Sequence, residues 1–452
     1  MGDIFNAHGF KVFLIGLLTF ILLIPTFFVR QLIEEREQRA ESVRGEIAGL
    51  WGGSQFINGP VLIVPYVIAR TVTVGERRTE ELIEQRAVFL PETLNIKVNA
   101  ASRVLYRSIF EQTVYSGTVA LEGRFNPPEI SDVAPDIRSV RWRDAVLAIG
   151  INDVSGLRTP VSASVNGAPI TLEPSIGVPS SRSSGIHLKL ASLPGTSDAT
   201  GPLPGFGFKL DFNLNGSAEL LFAPTARETT VELMSDWPHP SFTGAFLPAE
   251  RRIGPDGFSA RWQVPHLARS LPQSWAAPDA GLERIRPYAF GAKFFVPVDH
   301  YKQVTRAAKY AVMFLGIAFI AVFLIELKSP LRIHPVQYLF AGFAMVFFFV
   351  LLLSLSEHIG FAKAYALSAT ATGGMLSVYV GVVQHSAVKG AIMALVFGAL
   401  YALLYMILRL EDYALLAGAL LGFVLITVTM FATLKVEWNR TLTQASADRG
   451  TG

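Results

Sequence analysis

Residues Val336 to Ser356 read VQYLFAGFAMVFFFVLLLSLS, with no charged side chain anywhere in the run. A hydrocarbon core about 30 Å thick needs roughly 20 apolar residues in a helix. In lipid the backbone polar groups must be satisfied within the segment, so such a run is a membrane-spanning helix. Four similar runs flank it: Ala311 to Leu327 before it, then Ala364 to Val383, Ala391 to Leu408 and Tyr413 to Leu434. A sixth, Val12 to Val29 (VFLIGLLTFILLIPTFFV), stands alone near the start. Helices buried in a soluble core rarely stay free of charge for so long, and five in succession with short links do not suit such a core. Between Arg30 and Arg306 the chain is mostly polar. The expected class is an α+β membrane protein: one N-terminal and five C-terminal transmembrane helices, plus a large all-β, sandwich-like domain outside the bilayer.

The segment after the first run, FFVRQLIEEREQR, is bulky and charged and offers no small-x-small cleavage site. An uncleaved signal anchor is therefore expected rather than a signal peptide. Orientation follows from Lys and Arg in the short loops. Lys11, Lys328, Arg332, Lys389, Lys435 and Arg440 fall on one side. Lys363, beside Glu357, and Arg409, followed by Glu411 and Asp412, fall on the other. The more basic side is the cytoplasm, which places both termini there and the large domain outside. The expected organisation is a tail and anchor over residues 1–30, a charged stalk over 31–60, a β-rich domain over 61–306, a five-helix bundle over 307–436 and a tail over 437–452.

The chain has 452 residues, a net charge of +3 and no cysteine. So weak and dispersed a charge gives no reason to expect nucleic acid. The lack of cysteine excludes disulfides, thiolate metal ligands and cysteine nucleophiles. From Val61 onward the text changes to short stretches rich in Val, Ile, Leu, Phe and Thr, such as VLIVPYVIART, PVSASVNGAPITL and FGFKLDFNLNGSAELLFAP. These predict strands. Asn58-Gly59-Pro60, Asn166-Gly167, Asn215-Gly216 and Pro255-Asp256-Gly257 predict turns between them. No nucleophile elbow, zinc-protease helix or phosphate loop is present. His187, His239 and His266 are isolated and read as packing or surface residues, and Trp237, Trp262 and Trp275 as core.

The junction between the two parts reads GAKFFVPVDHYKQVTRAAKYAVMFLGIAF from Gly291 and HPVQYLFAGFAMVFFFVLLLSLSEHIGFAKAYALSA from His334. This text, above all PVDHY and SLSEHIGF, resembles the CreD family of bacterial inner-membrane proteins, also called cell envelope integrity inner membrane proteins. The upstream segment FLPETLNIKVNAASRVLYRSIFEQTVYSGTVALEGRF is similar to that family's external region. It departs from the family at Tyr106 to Phe110, where a run like RGIYE is expected. The resemblance covers nearly the whole chain. It implies that the outside is the periplasm, and a role in envelope maintenance, expressed under a two-component stress system; it supplies no molecular activity.

Ionisable residues at the ends of spans are functional candidates. At the outer level stand Asp299, His300, Glu357 and His358, with Arg409, Glu411 and Asp412 on the same side. At the inner level stand Glu326, His334 and His385. The levels are a membrane thickness apart and cannot form one site. The outer four are the candidate polar layer. A carboxylate beside an imidazole, twice, suits a divalent metal or a proton relay. The plainer reading has Asp299 and Glu357 pairing with Lys, Arg or His across helix ends, and a partner or lipid-headgroup surface is the third. Small residues in the later spans, including the pair Gly418 and Gly422, suit close helix packing, with a homo-oligomer as a secondary use.

The function expected is that of a non-enzymatic envelope-integrity protein. The bilayer surrounds its helices, its β domain meets a periplasmic or envelope partner, and no cofactor or metal is assigned. The alternatives are a transporter or channel, and a metal-dependent membrane enzyme working at the outer ends of the bundle.

Overall fold

The computed structural model describes residues 8–74, 77–134, 136–192, 203–277, 279–294, 300–327, 333–410 and 414–433. The chain divides into two compact units, one formed by Met1–Ala40 with Val298–Gly452 and the other by Glu41–Pro297.

The unit Glu41–Pro297 is β-rich. Its first sheet runs Pro240–Gly244, Phe290–Phe294, Glu219–Phe222, Gln55–Val74, Val146–Ile151, Gly185–Lys189 and Glu173–Pro174, with three further strands off this path. Its second sheet runs Glu250–Gly254, Gly257–Pro265, Glu228–Ser235, Thr93–Arg107, Phe110–Phe125, Phe206–Ser217, Leu157–Val165 and Ala168–Ile170. Alternation puts Leu94, Ile96, Val98 and Ala100 of one strand inside, and Asn95, Lys97 and Asn99 outside. One core collects Leu62, Val64 and Tyr66 from the first sheet with Ile96, Leu121 and Trp262 from the second. Trp275 is buried in a neighbouring cluster, and Trp237 packs at the edge of the main core.

Two of the four expected turns are turns. Asn166 and Gly167, both at positive φ, join Leu157–Val165 to Ala168–Ile170. Gly257, at φ +127°, follows the turn that joins Glu250–Gly254 to Gly257–Pro265. The other two lie inside strands. Asn215 and Gly216 continue Phe206–Ser217, because Gly216 lets the Tyr115 ring lie against its backbone. Asn58-Gly59-Pro60 makes an irregularity within Gln55–Val74, where pairing with Val146–Ile151 shifts register. The sequence departure at Tyr106–Phe110 falls on a hairpin tip, with Ser108 at φ +58° and Tyr106 exposed.

Asp153 orders one corner of this unit. Its carboxylate accepts bonds from the Gly53 N–H at 2.8 Å, the Ser155 N–H at 3.0 Å and the Ser155 hydroxyl at 2.6 Å. Burial pushes this carboxyl up, but the Ser155 hydroxyl and the two N–H donors outweigh burial and hold it below its ordinary value.

The other unit is helical. It contains α1 (His8–Ile21), α2 (Leu23–Trp51), α3 (His300–Lys309), α4 (Ala311–Leu327), α5 (Pro335–Ile359), α6 (Phe361–Val383), α7 (Ala387–Arg409) and α8 (Ala414–Thr433). The unit boundary at Ala40 falls within α2, and the first strand begins at Gln55, inside the expected stalk. Among the described residues, four helical stretches are long and apolar enough to cross a membrane: Phe13–Trp51, α5, α6 and α7. There are five if α3 and α4, bent by 49° at their break, count as one span. α8 is a further apolar helix against α4 and α7.

Local chemistry explains the ends of these helices. α5 starts with a capping box: His334 Nδ1 accepts from the Val336 N–H at 3.3 Å, while the His334 N–H donates to Gln337 Oε1 at 2.9 Å. It stops at Gly360, whose φ of +78° with ψ of 159° is backbone that glycine alone adopts readily. α6 begins at the next residue. α6 and α7 then approach so closely at Gly381 and Gly390 that a Cβ on either would lie 3.2 Å from the other's Cα. Tyr401 joins the same two helices, its hydroxyl 2.9 Å from the Thr372 hydroxyl and its carbonyl accepting from the Tyr365 hydroxyl at 2.6 Å.

Candidate functional site

The last turn of α5 carries the site. Along this helix Phe349, Leu352, Leu353 and Ser356 are buried at a spacing of three to four residues. Glu357 lies at the edge of that stripe, and its side chain is 6% exposed. A carboxylate this enclosed needs hydrogen-bond partners. Arg36 of α2 supplies two, from Nε to Oε1 at 2.8 Å and from Nη2 to Oε2 at 2.6 Å. The Tyr301 hydroxyl of α3 supplies a third to Oε1, at 2.8 Å. One carboxylate thus joins α2, α3 and α5. The planar guanidinium fork matches it in two-point geometry, which fixes direction as well as distance.

The other predicted residues distribute differently. His300 opens α3 and packs against Tyr301 with the rings tilted by 42°, centroids 4.4 Å apart. His358 is exposed on α5. Adjacent residues on a helix diverge by about 100°, so Glu357 and His358 leave the helix in different directions despite being neighbours in sequence. Asp299, Glu411 and Asp412 lie outside the described residues. Among the described residues, no three His, Asp or Glu side chains group as metal ligands would. Ser356 donates back to the Leu353 carbonyl at 2.8 Å.

The inner residues serve helix ends and pairs. His334 is the α5 cap already described. His385, at φ +43°, lies in the short link from α6 to α7. Glu326 of α4 is buried and accepts from the Tyr338 hydroxyl at 2.8 Å.

Arg36 and Tyr301 are the partners that sequence reasoning missed. A signal for Arg36 was available. The buried positions of α2 run Val29, Ile33, Ala40, Val43 and Ile47, and Arg36 occupies the one place where this seven-residue pattern carries a charge. It was hidden among Glu34, Glu35, Glu37, Arg39 and Glu41, which read as a solvated stalk. Tyr301 stands inside PVDHY, where the adjacent Asp and His drew attention as chemistry.

A bundle of long apolar helices, tied at one end by a half-buried ion pair and accompanied by a large β-rich unit, defines a helical membrane protein with a large β-rich domain. Comparison narrows this class. The family model of the inner membrane protein CreD matches residues 7–439. The Inner membrane protein CreD of Escherichia coli K12 is 30% identical over 420 residues, covering 92% of this chain and 91% of that protein. The chain belongs to the CreD family.

Proposed function

We propose that this chain is a multi-pass inner-membrane protein that maintains the cell envelope without catalysing a reaction. In this reading six spans hold both termini in the cytoplasm and place the β-rich, sandwich-like unit in the periplasm, where it meets an envelope partner. The observation that supports the non-enzymatic reading is that Glu357 is enclosed and held by its neighbours, its side chain being 6% exposed. Its two oxygens accept three hydrogen bonds from Arg36 and Tyr301. A general base or metal ligand must be open to its substrate or ion, whereas Glu357 uses three of its roughly four acceptor sites on neighbouring helices. The basic bias of one set of loops supports the orientation.

Two measurements test this. The natural chain has no cysteine, so single cysteines placed at Asn166 and Ser386 can each be labelled in intact cells with a membrane-impermeant maleimide. The reading expects labelling at 166 and protection at 386, and the reverse pattern would overturn the orientation. For function, Arg36→Ala and Glu357→Ala are expected to fail in restoring envelope resistance to a strain lacking the protein. Turnover of an envelope substrate by the purified full-length protein, abolished by Glu357→Gln, would refute the non-enzymatic reading.

A further inference from the structure

We propose that α3 binds the headgroup of an anionic phospholipid, using Lys302, Arg306 and Lys309 with Arg30 of α2. The proposal needs the helices to span a bilayer, but neither the envelope role nor the orientation.

α3 has two faces. Tyr301, Val304, Ala307 and Ala308 are buried, and α3 makes contacts with α5, α6 and α7. Lys302, Arg306 and Lys309 recur at four- and three-residue spacing, so they fall within about 60° of one another on the opposite side. Lys302 and Lys309 are exposed, and Arg306 is half-buried. The apolar face is taken up by the neighbouring helices, which leaves the Lys/Arg face turned away from the bundle.

The depth of the cations separates this face from an ordinary solvated one. α4 starts at Ala311, immediately past the bend, and runs without charge as far as Glu326. The apolar stretch of α1 and α2 ends at Val29. Lys309 and Arg30 therefore both stand where hydrocarbon gives way to headgroups, and one hydrogen bond ties them to that level: Arg30 Nη2 donates to the Ala308 carbonyl at 3.2 Å. That bond also places a cation at the C-terminal, negative end of α3. Arg30 Nε is buried with no partner among the described residues. Tyr310, at the bend, packs 3.0 Å from where a Cβ on Gly418 of α8 would stand, an aromatic at the same interface. Arg30 and Lys309 at this boundary, with Arg306 and Lys302 further along the same face, complement an anionic headgroup.

Occupancy of this face has a consequence at the site. α3 carries the lipid-facing cations on one side and Tyr301, a donor to Glu357, on the other. A headgroup that holds α3 in place also holds Tyr301 on the carboxylate.

The test uses full-length protein purified in detergent and exposed to mixed micelles of phosphatidylglycerol and phosphatidylcholine, with retained lipid read by native mass spectrometry. The wild type is expected to retain phosphatidylglycerol selectively, and an excess of inorganic phosphate is expected to leave it bound. Each cation near an anionic surface is worth roughly a fivefold change in binding, so Lys302→Gln/Arg306→Gln/Lys309→Gln is expected to lose at least about tenfold. Lys302→Gln/Lys309→Gln changes two exposed side chains alone and keeps the measurement informative if the triple variant folds poorly. Equal retention of both lipids by the wild type, or unchanged selectivity in the double variant, would overturn the proposal. Displacement by inorganic phosphate would assign the face to a soluble anion and overturn the lipid reading.

Discussion

Glu357 and Glu326 are both carboxylates enclosed among apolar helices, and both accept a tyrosine hydroxyl at 2.8 Å. They differ in how far along the chain their partners lie. Tyr338 is 12 residues from Glu326, across the link from α4 to α5. Glu357 is 56 residues from Tyr301 and 321 from Arg36. A contact between neighbouring helices forms with the helical hairpin and closes a short loop. The Arg36 contact requires the N-terminal helix to return to a bundle built from the far end of the chain, which costs more loop entropy. The Glu326–Tyr338 bond therefore reports on a hairpin, and the Glu357–Arg36 pair on assembly of the helical unit.

The largest effect expected is from Arg36→Ala. It leaves a mostly enclosed carboxylate with one donor, at a cost of about 2–4 kcal/mol, less than for a fully buried pair because Arg36 is partly exposed. Thermal unfolding of the full-length protein in detergent measures this, and a loss no greater than that of Tyr338→Phe would erase the distinction between the two carboxylates. Gly360→Ala comes next. A Cβ there meets nothing within 4 Å, so the cost is backbone strain of about 1–3 kcal/mol. Because Gly360 ends the helix that carries Glu357, the double variant Gly360→Ala/Arg36→Ala should cost less than the sum of the two; strict additivity would separate the turn from the clamp. Tyr338→Phe removes one buried hydrogen bond and should cost about 0.5–1.5 kcal/mol, seen as a modest fall in Tm.

Asp153 serves as the reference in the β-rich unit, and its effect should be the smallest. Its folded-state carboxyl lies below its ordinary value, so the stability it contributes is fully present above the unfolded-state value and is lost as pH falls through the folded-state one. Asp153→Asn should lower stability slightly at neutral pH, by under about 1 kcal/mol, seen as a small fall in Tm. That difference should vanish once pH drops below the carboxylate range. A gap that persisted in acid would mean that the ionised form is not what the Gly53 and Ser155 donors stabilise.

Legibility divided along physical lines. The apolar runs were readable because a span must satisfy its backbone internally and show carbon outward, a requirement imposed by the solvent that does not depend on neighbours. The strands were readable for a similar reason, since alternation in Thr93–Arg107 follows from the pleat. The turns were less so. Asn215-Gly216 has the composition of a hairpin, yet the Tyr115 ring claims the space that Gly216 leaves and the strand runs on. At the site, sequence pointed to Glu357 and to its pairing with Lys, Arg or His across helix ends but did not say which partner. Adjacency drew His358 forward, while helical geometry turns it away and Arg36 takes the place.

What sequence by itself determined was periodicity and polarity: which segments are apolar for long enough to span, which alternate, and which charges sit at helix ends. These properties are local, fixed within one helical turn or one pleat. What tertiary structure alone decided was the use of the charges. Arg36 becomes a clamp rather than part of a solvated stalk because three helices meet at one carboxylate, and a carboxylate withdrawn from water binds whichever donors the packing brings within reach.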